Sequence, residues 1–226
     1  MTVARGKGVS PQEVAGRYPY LYHMAEAGTW ESIRKNGLLS TSALLDLYRF
    51  VGAAREAIEC RHRPGSVTIS NPPLPDAVIR DQRPMSDKRL RTCLSGASPA
   101  QWYKLLNGKV FFWTTEPRFV TLLKAYSGRR HLMLTIDTAS LLSCETHDVT
   151  LCPMNSGATR PYAHPRSPAT FQPIETAPFH ERRKRGLEPV AEVCVEHSVR
   201  DIAKHTTRAD HVVLHGDTFR VLERIV

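Results

Sequence analysis

Hydrophobic residues recur along the chain with strand or helix spacing in short segments. The aromatic run Tyr18–Met24 predicts a strand. Thr29 is a candidate N-cap for a helix over residues 30–36, and Gly37 is a typical helix stop. Residues 42–60 carry a second helical pattern. We therefore expect the chain to begin with one strand followed by two helices.

The rest of the chain alternates between short regular elements and two long loops. The loops are expected at residues 66–100 and 153–180, where proline is frequent and periodicity is weak. Strands are predicted at residues 109–114, 131–137, 189–195, 211–214 and 219–226, and helices at 117–126 and 198–204.

Several short strands with few strong helices favour an α+β fold. We expect a split, mostly antiparallel β-sheet with flanking helices and long loops. Residues 1–17 lack sustained periodicity and are expected to form a flexible lead-in to a single domain over 18–226. Neither a GxGxxG nor a GxxxxGK[ST] motif occurs, so any nucleotide would be held without a Rossmann or Walker loop.

The composition is that of a globular protein. Hydrophobic residues make up 41% of the 226 residues and charged residues 23%. The N-terminal residues lack the apolar segment of a secretory signal, and no apolar stretch reaches the roughly 18 to 20 residues of a membrane span. The five cysteines show no CxxC spacing. We therefore expect a cytoplasmic protein with free thiols, no metal site and no membrane association.

The chain carries a formal net charge of +9. A surplus of this size favours an anionic partner, and nucleic acid is the first candidate. The basic residues concentrate in two segments, 80–91 and 180–185. Each could equally be a solvated loop, so the charge alone does not decide between the two readings.

Glu192 is the most unusual residue, because it lies inside the apolar run 189–195. An acid rarely enters a buried strand unless it is paired or used chemically. A strand with one hydrated face is the structural alternative. Glu196 and Glu188 are competing acids, but Glu188 is expected to pair with the arginines at 182–185. Glu192 is favoured because apolar residues flank it on both sides.

Several short motifs together resemble the ADP-ribosyltransferase superfamily, and most of all the DarT-like DNA ADP-ribosyltransferases. The motifs are spread over residues 20–215. They are Leu21-Tyr22-His23-Met24-Ala25, Trp30-Glu31-Ser32-Ile33, Asn36-Gly37-Leu38-Leu39-Ser40, Ile79-Arg80-Asp81-Gln82-Arg83, Val110-Phe111-Phe112-Trp113 with Pro117-Arg118, and Ala191-Glu192-Val193-Cys194-Val195 with Ser198-Val199-Arg200-Asp201-Ile202.

The resemblance implies an NAD-consuming enzyme and assigns roles to residues. Glu192 matches the family's catalytic glutamate, and either Arg80 or Arg83 matches its functional arginine. The family's His-[IV]-[ST] signature reads His23-Met24-Ala25, so the missing hydroxyl would come from Ser40 or Thr41. The implied cofactor contacts are His23, Tyr22, Leu39, Ser40, Thr41, Phe112 and Trp113.

This assignment agrees with the chemistry of the residue types. Cleavage of the nicotinamide–ribose bond expels a neutral leaving group and passes through an oxocarbenium-like state, so one carboxylate can suffice. Glu192 would stabilise the positive charge and could activate the incoming nucleophile. His23 would hold a ribose or the nicotinamide amide, and an arginine would neutralise the pyrophosphate or position the acceptor. The aromatic side chains would stack on nicotinamide, or pack in the core instead.

The expected function is the transfer of ADP-ribose from NAD to a nucleobase, with DNA favoured over RNA. The resemblance also implies a role as a toxin or in phage defence, with a neutralising antitoxin protein as partner. Three alternatives remain: a protein-modifying ADP-ribosyltransferase, an RNA 2′-phosphotransferase and a non-enzymatic nucleic-acid-binding module. Glu192 argues against the phosphotransferase, which relies on basic residues rather than on a glutamate.

Overall fold

A computed structural model describes residues 8–144 and 146–226. It shows an α+β architecture in which one large antiparallel sheet is flanked by short helices. The strands are β1 (Tyr20–Glu26), β2 (Leu38–Leu39), β3 (Val67–Ile69), β4 (Ala77–Ile79), β5 (Lys109–Trp113), β6 (His131–Asp137), β7 (Val149–Cys152), β8 (Gln172–Pro173), β9 (Glu192–Glu196), β10 (Ser198–Val199), β11 (Thr206–His215) and β12 (Thr218–Arg224).

The helices are short and lie mainly between strands. They are α1 (Pro11–Arg17), α2 (Trp30–Asn36), α3 (Thr41–Leu47), α4 (Gly52–Glu59), α5 (Asp87–Cys93), α6 (Pro99–Asn107), α7 (Glu116–Ala125), α8 (Thr138–Leu142), α9 (Phe179–Lys184) and α10 (Ile202–His205). Among the helices of the described ranges, none is long and apolar enough to cross a membrane.

The large sheet has eight strands in the order β12-β11-β6-β1-β5-β9-β7-β8. Its centre is nearly open, because β1 and β5 share the single register pair Tyr22–Trp113. Beyond this pair the two strands separate. The His23 side chain spans the gap, with Nδ1 at 2.8 Å from the Phe111 carbonyl oxygen. A side chain thus satisfies a strand carbonyl that a continuous ladder would have paired with backbone.

Hydrophobic packing covers both faces of the sheet. The largest core lies under α1, α2 and α8 and includes Leu21, Phe112, Leu134 and Val193. On the other face, α6 covers the β5–β9–β7 half and α7 covers the β1–β6–β11 half. The two clusters on that face flank the central opening, so a cavity remains between them.

The N-terminal prediction needs correction over residues 8–17. Ser10 and Glu13 form a capping box for α1, and Pro11 occupies its first turn. Val14 is fully buried in the main core, so this segment packs as part of the domain. The remaining residues of the expected lead-in, 1–7, lie outside the described residues.

The predicted helix over residues 42–60 is two helices, α3 and α4. Arg49 has a φ of 59°, a left-handed conformation that ends a helix. The helix predicted at 30–36 is confirmed as α2, and Gly37 ends it with a φ of 85°. Thr29 does not cap α2 with its side chain, because its hydroxyl donates to the Glu26 carbonyl instead.

The two predicted loops contain short elements. Residues 66–100 hold the β3–β4 hairpin and α5, and residues 153–180 hold β8 and two 3₁₀ turns. The helix predicted at 198–204 is wrong over its first half, because Ser198–Val199 pair with β2 as strand β10. Only Ile202–His205 are helical.

Candidate functional site

A cavity of about 710 Å³ occupies the opening between β1 and β5. This volume lies in the range of roughly 300 to 1,000 Å³ that is typical of small-molecule sites. Its walls come from β1, α2, the β2–α3 turn, the β4–α5 segment, β5 and β9. The predicted site residues that line it are His23, Leu39, Ser40, Thr41, Arg80, Arg83, Trp113 and Glu192.

Glu192 begins β9 and is only 3% exposed. It pairs with Trp113 on one side and Cys152 on the other, so it sits on the sheet face that carries the cavity. The Ser156 backbone N–H donates to both carboxylate oxygens at 3.2 Å. Burial raises the pKa of Glu192 to about 7, while hydrogen bonds from Ser156 and the charge of Arg118 oppose the rise.

The loop that carries Ser156 is held by a buried arginine. Arg166 is 3% exposed, and its guanidinium donates to the carbonyl oxygens of Ser156, Ala158 and His164 at 2.9, 2.8 and 3.1 Å. It also lies over the Trp102 ring at 5.9 Å. Arg166 therefore positions the Ser156 N–H against the carboxylate without touching Glu192 itself.

His23 is held in one tautomer. The Phe111 carbonyl can only accept a hydrogen bond, so His23 Nδ1 carries the proton and Nε2 keeps a lone pair. Burial lowers the pKa of His23 to about 4, and the positive charge of Arg80 acts in the same direction. The ring is therefore neutral at pH 7 and offers an acceptor in the cavity wall.

The structure separates the two candidate arginines. Arg80 is largely buried and donates to Glu26 at 2.9 Å and to the Met24 carbonyl at 2.8 Å, with His131 Nδ1 at 3.3 Å. Three of its five N–H groups are thus used and two remain. Arg83 has a side chain that is 70% exposed and sits beside Asp81 at 3.8 Å. Arg80 is therefore the better-positioned cation.

The β2–α3 turn contributes hydroxyl groups to the cavity. The Ser40 oxygen accepts from the Ala43 N–H at 3.1 Å and so caps α3. Ser40 is 3% exposed, and its hydroxyl proton remains available for donation. Leu39 and Thr41 flank it in the wall.

Two of the predicted aromatic contacts lie away from the cavity. Phe112 is fully buried in the main core, and Tyr22 packs on Phe119 at 6.3 Å between ring centroids. Neither is among the lining residues of the cavity, whereas Phe111 and Trp113 are. Successive side chains of a strand point to opposite faces, so Phe112 packs in the core while its neighbours Phe111 and Trp113 line the cavity.

The competing acids have structural partners. Glu196 forms an ion pair with the buried Lys109, which is its neighbour across β5 and β9. Glu188 accepts a hydrogen bond from the Tyr18 hydroxyl and lies 3.4 Å from Arg17. The expected pairing of its side chain with the 182–185 cluster is wrong, since Arg182 contacts only the Glu188 backbone carbonyl, at 3.1 Å.

A second cavity of about 730 Å³ adjoins the first at Asn155, which lines both. We call it the basic groove, defined by Arg118, Arg160, Tyr162 and Arg182. Within the described part of the chain, no acidic side chain lines it, and the guanidinium groups of Arg118 and Arg160 form neither a hydrogen bond nor an ion pair with residues 8–144 or 146–226. Tyr162 is 72% exposed.

Sequence reasoning missed Ser156, Arg166 and the basic groove. Ser156, Arg166 and the groove residues Arg160 and Tyr162 lie in the proline-rich segment 153–180, where no periodicity indicates which side chains turn inward. The groove residues Arg118 and Arg182 come from α7 and α9. The available signal was two arginines, Arg160 and Arg166, in a segment otherwise poor in charge. It did not distinguish a buried arginine from a solvated one.

The comparison with known families identifies a relationship. A family described as "Family of unknown function (DUF7002)" matches residues 19–206. The chain belongs to the DUF7002 family. No curated protein matches the chain. The DUF7002 match begins just before β1 and ends at the start of β11, so it includes every residue assigned above to the cavity and to the basic groove.

Proposed function

We propose that this DUF7002 protein is an NAD-dependent mono-ADP-ribosyltransferase that modifies a nucleobase. The observation that carries the proposal is the buried carboxylate of Glu192 in the wall of a cavity that also contains a neutral His23. A carboxylate held in a poorly solvated site interacts strongly with a positive charge that develops beside it.

The proposed reaction begins with the loss of nicotinamide from NAD. The pyridinium leaves as a neutral base, and the ribose carbon that it leaves becomes oxocarbenium-like. The positive charge of bound NAD favours ionisation of Glu192, which opposes the effect of burial on its pKa. The ionised carboxylate then stabilises the cationic transition state and can accept a proton from the attacking nucleobase nitrogen.

His23 suits a neutral hydrogen-bonding role in this reaction. Its Nε2 lone pair can accept a hydrogen bond from a ribose hydroxyl, and the neutral ring places no positive charge beside the oxocarbenium. Arg80 has two N–H groups left for the pyrophosphate, and Trp113 with Phe111 provides an aromatic surface for the nicotinamide ring.

The basic groove supports a nucleic acid as acceptor. Its guanidinium groups can neutralise phosphates, and an exposed tyrosine such as Tyr162 can stack on a base. The shared residue Asn155 connects the groove to the Glu192 side of the first cavity. A strand in the groove could therefore present a base to the reacting ribose.

The test is release of nicotinamide from NAD by the purified chain in the presence of DNA or RNA oligonucleotides. We expect release with at least one oligonucleotide, and a loss of about 100-fold or more for Glu192→Gln. Glu188→Gln is the matched control, because it makes the same change at an acid outside the cavity. Intact NAD with every nucleic acid offered, or equal loss in both variants, would refute the proposal.

A further inference from the structure

A cluster of metal-ligating side chains lies outside both cavities, where the connection after α8 meets α10. Ligand atoms of Cys144, His147 and Asp201 all lie within 4.8 Å of one another. His205 joins them, with Nε2 at 3.3 Å from Asp201 Oδ1. We propose that Cys144, His147, Asp201 and His205 bind one zinc ion as a structural site.

The ligand types and their spacing suit zinc. Cysteine sulfur, histidine nitrogen and carboxylate oxygen are the groups that zinc prefers, and four protein ligands make a closed structural site. Cys144 and His147 are three residues apart, and Asp201 and His205 are four apart on one helical turn. Each half of the site is thus a local pair of the kind found in zinc-binding motifs.

Hydrogen bonds to the Nδ1 atoms orient both imidazoles toward the common centre. His147 Nδ1 lies 3.1 Å from the Leu141 carbonyl, which can only accept, so Nδ1 carries the proton. His205 Nδ1 lies 2.7 Å from the Ser140 hydroxyl. Both rings therefore direct Nε2 at Asp201 Oδ1, at 3.1 Å and 3.3 Å. Fixing the distal nitrogen in this way is characteristic of zinc-bound histidines.

The atoms at the centre of the cluster are only partly satisfied by residues 8–144 and 146–226. His147 Nε2 meets Asp201 Oδ1 either as the N–H of an imidazolium, which donates to the carboxylate, or as a neutral lone pair, which requires a cation between the two atoms. His205 Nε2 is buried and has no hydrogen-bond partner among the described residues. The His147 and His205 side chains are 4% and 5% exposed.

The two His–Asp distances also fit a tetrahedral ion. With Zn–N near 2.0 Å and Zn–S near 2.3 Å, neighbouring ligand atoms should lie about 3.3 to 3.6 Å apart. The two His–Asp separations are at or just below this range. Lys204 Nζ contacts the other carboxylate oxygen, Asp201 Oδ2, at 3.7 Å, so Oδ1 stays directed at the histidines. The lysine side chain is 77% exposed and is free to withdraw when the ion binds.

The zinc would link two segments that are distant in the sequence. It joins the α8–β7 connection to α10, which follows β9 and β10 directly. This site does not depend on the proposed transferase activity. The sequence predicted no metal site because no CxxC spacing occurs. The proposed site differs from that prediction because its CxxH pair at 144–147 is completed by residues 54 or more positions away in the chain.

The test is metal binding by the full chain, purified, stripped with a chelator and titrated with Zn²⁺ or Co²⁺. We expect one equivalent of either metal per chain. The cobalt form should show the intense visible bands of tetrahedral coordination and a near-ultraviolet thiolate charge-transfer band. Removal of zinc should lower the thermal midpoint, because the metal stabilises only the folded chain.

Conservative variants separate a metal site from a metal-free ion-pair cluster. Cys144→Ser should lose the thiolate band, whereas Cys60→Ser, at another partly exposed cysteine, should keep it. Ser140→Ala should weaken Zn²⁺ binding roughly 10- to 100-fold by freeing the His205 ring. The proposal is overturned if the chain binds no stoichiometric metal, if cobalt binds without tetrahedral bands, or if Cys144→Ser leaves the thiolate band unchanged.

Discussion

Replacement of Glu192 by Gln should stabilise the folded chain at alkaline pH while removing the proposed activity. Burial raises the pKa of Glu192 to about 7, against 4.5 for an unperturbed glutamate. Between these two pH values the folded chain binds the proton more tightly than the unfolded chain does. The stability due to the neutral carboxyl is therefore complete below about pH 4.5 and is lost as the pH rises through about 7.

The size of the effect follows from the same two values. A shift from 4.5 to about 7, at about 1.4 kcal/mol per pKa unit, makes the ionised folded state about 3 kcal/mol less stable above pH 8. Gln is neutral at every pH, so it avoids this cost. Its amide can still accept from the Ser156 N–H, but its NH₂ group needs a new acceptor. A net gain of about 1 to 3 kcal/mol is expected for Glu192→Gln near pH 8.

The assay is urea unfolding of the parent chain and the variant at about pH 5 and about pH 8. The stability difference should be largest at the higher pH and should shrink strongly at the lower one, where the parent carboxyl is mostly protonated. Glu188→Gln, at a partly exposed acid, is the control and should show no such pH-dependent gain. A Glu192→Gln variant that is less stable than the parent near pH 8, by an amount that does not change with pH, would refute the reasoning.

Three further predictions concern positioning, packing and the acceptor. Arg166→Met should lower the free energy of urea unfolding by about 3 kcal/mol, because it leaves buried loop carbonyls unsatisfied. It should also slow nicotinamide release. If neither the stability nor the rate changes, the positioning role of Arg166 is contradicted. Gly37→Ala should lower the free energy of urea unfolding by at least about 2 kcal/mol, since the φ of Gly37 is 85° and a Cβ there would lie 2.7 Å from the Arg200 Cα. An unchanged urea midpoint would show that the turn can relax. Arg160→Gln should weaken oligonucleotide binding and reduce by about 1 the slope of the logarithm of the binding constant against the logarithm of salt concentration. Arg220→Gln on β12 should change neither quantity. Equal effects of the two variants would place the binding surface elsewhere.

The elements that the sequence predicted well are those with a strong local pattern. Strand β6 has six buried residues, four of which are apolar (Leu132, Met133, Leu134 and Ile136), and α2 has apolar residues at helical spacing with a glycine stop. Strand β10 was missed because a two-residue strand is defined by its partner, β2, and not by its own composition. Helix α1 was missed although Ser10 and Glu13 form a capping-box pattern, because a single buried residue, Val14, anchors it.

The candidate site shows a similar division. Glu192 stood out from sequence because an acid in an apolar strand is rare, and His23 stood out through its place in the order of motifs that ends at Glu192. Both line the cavity. Phe111 lines the cavity, although Phe112 was predicted to do so. The alternation of a strand shows which residues share a face, but it does not show which of the two faces packs in the core. Ser156 and Arg166 could not be assigned, since their roles depend on where an aperiodic loop folds back onto β9.

The most direct test of the proposed function is the mass of an oligonucleotide after incubation with NAD and the purified chain. We predict a gain of one ADP-ribose unit on at least one oligonucleotide, with no gain for Glu192→Gln and a normal gain for Glu188→Gln. Binding of the oligonucleotide with a steep salt dependence but no change in its mass or in NAD would contradict the account, and would indicate a non-enzymatic nucleic-acid-binding protein.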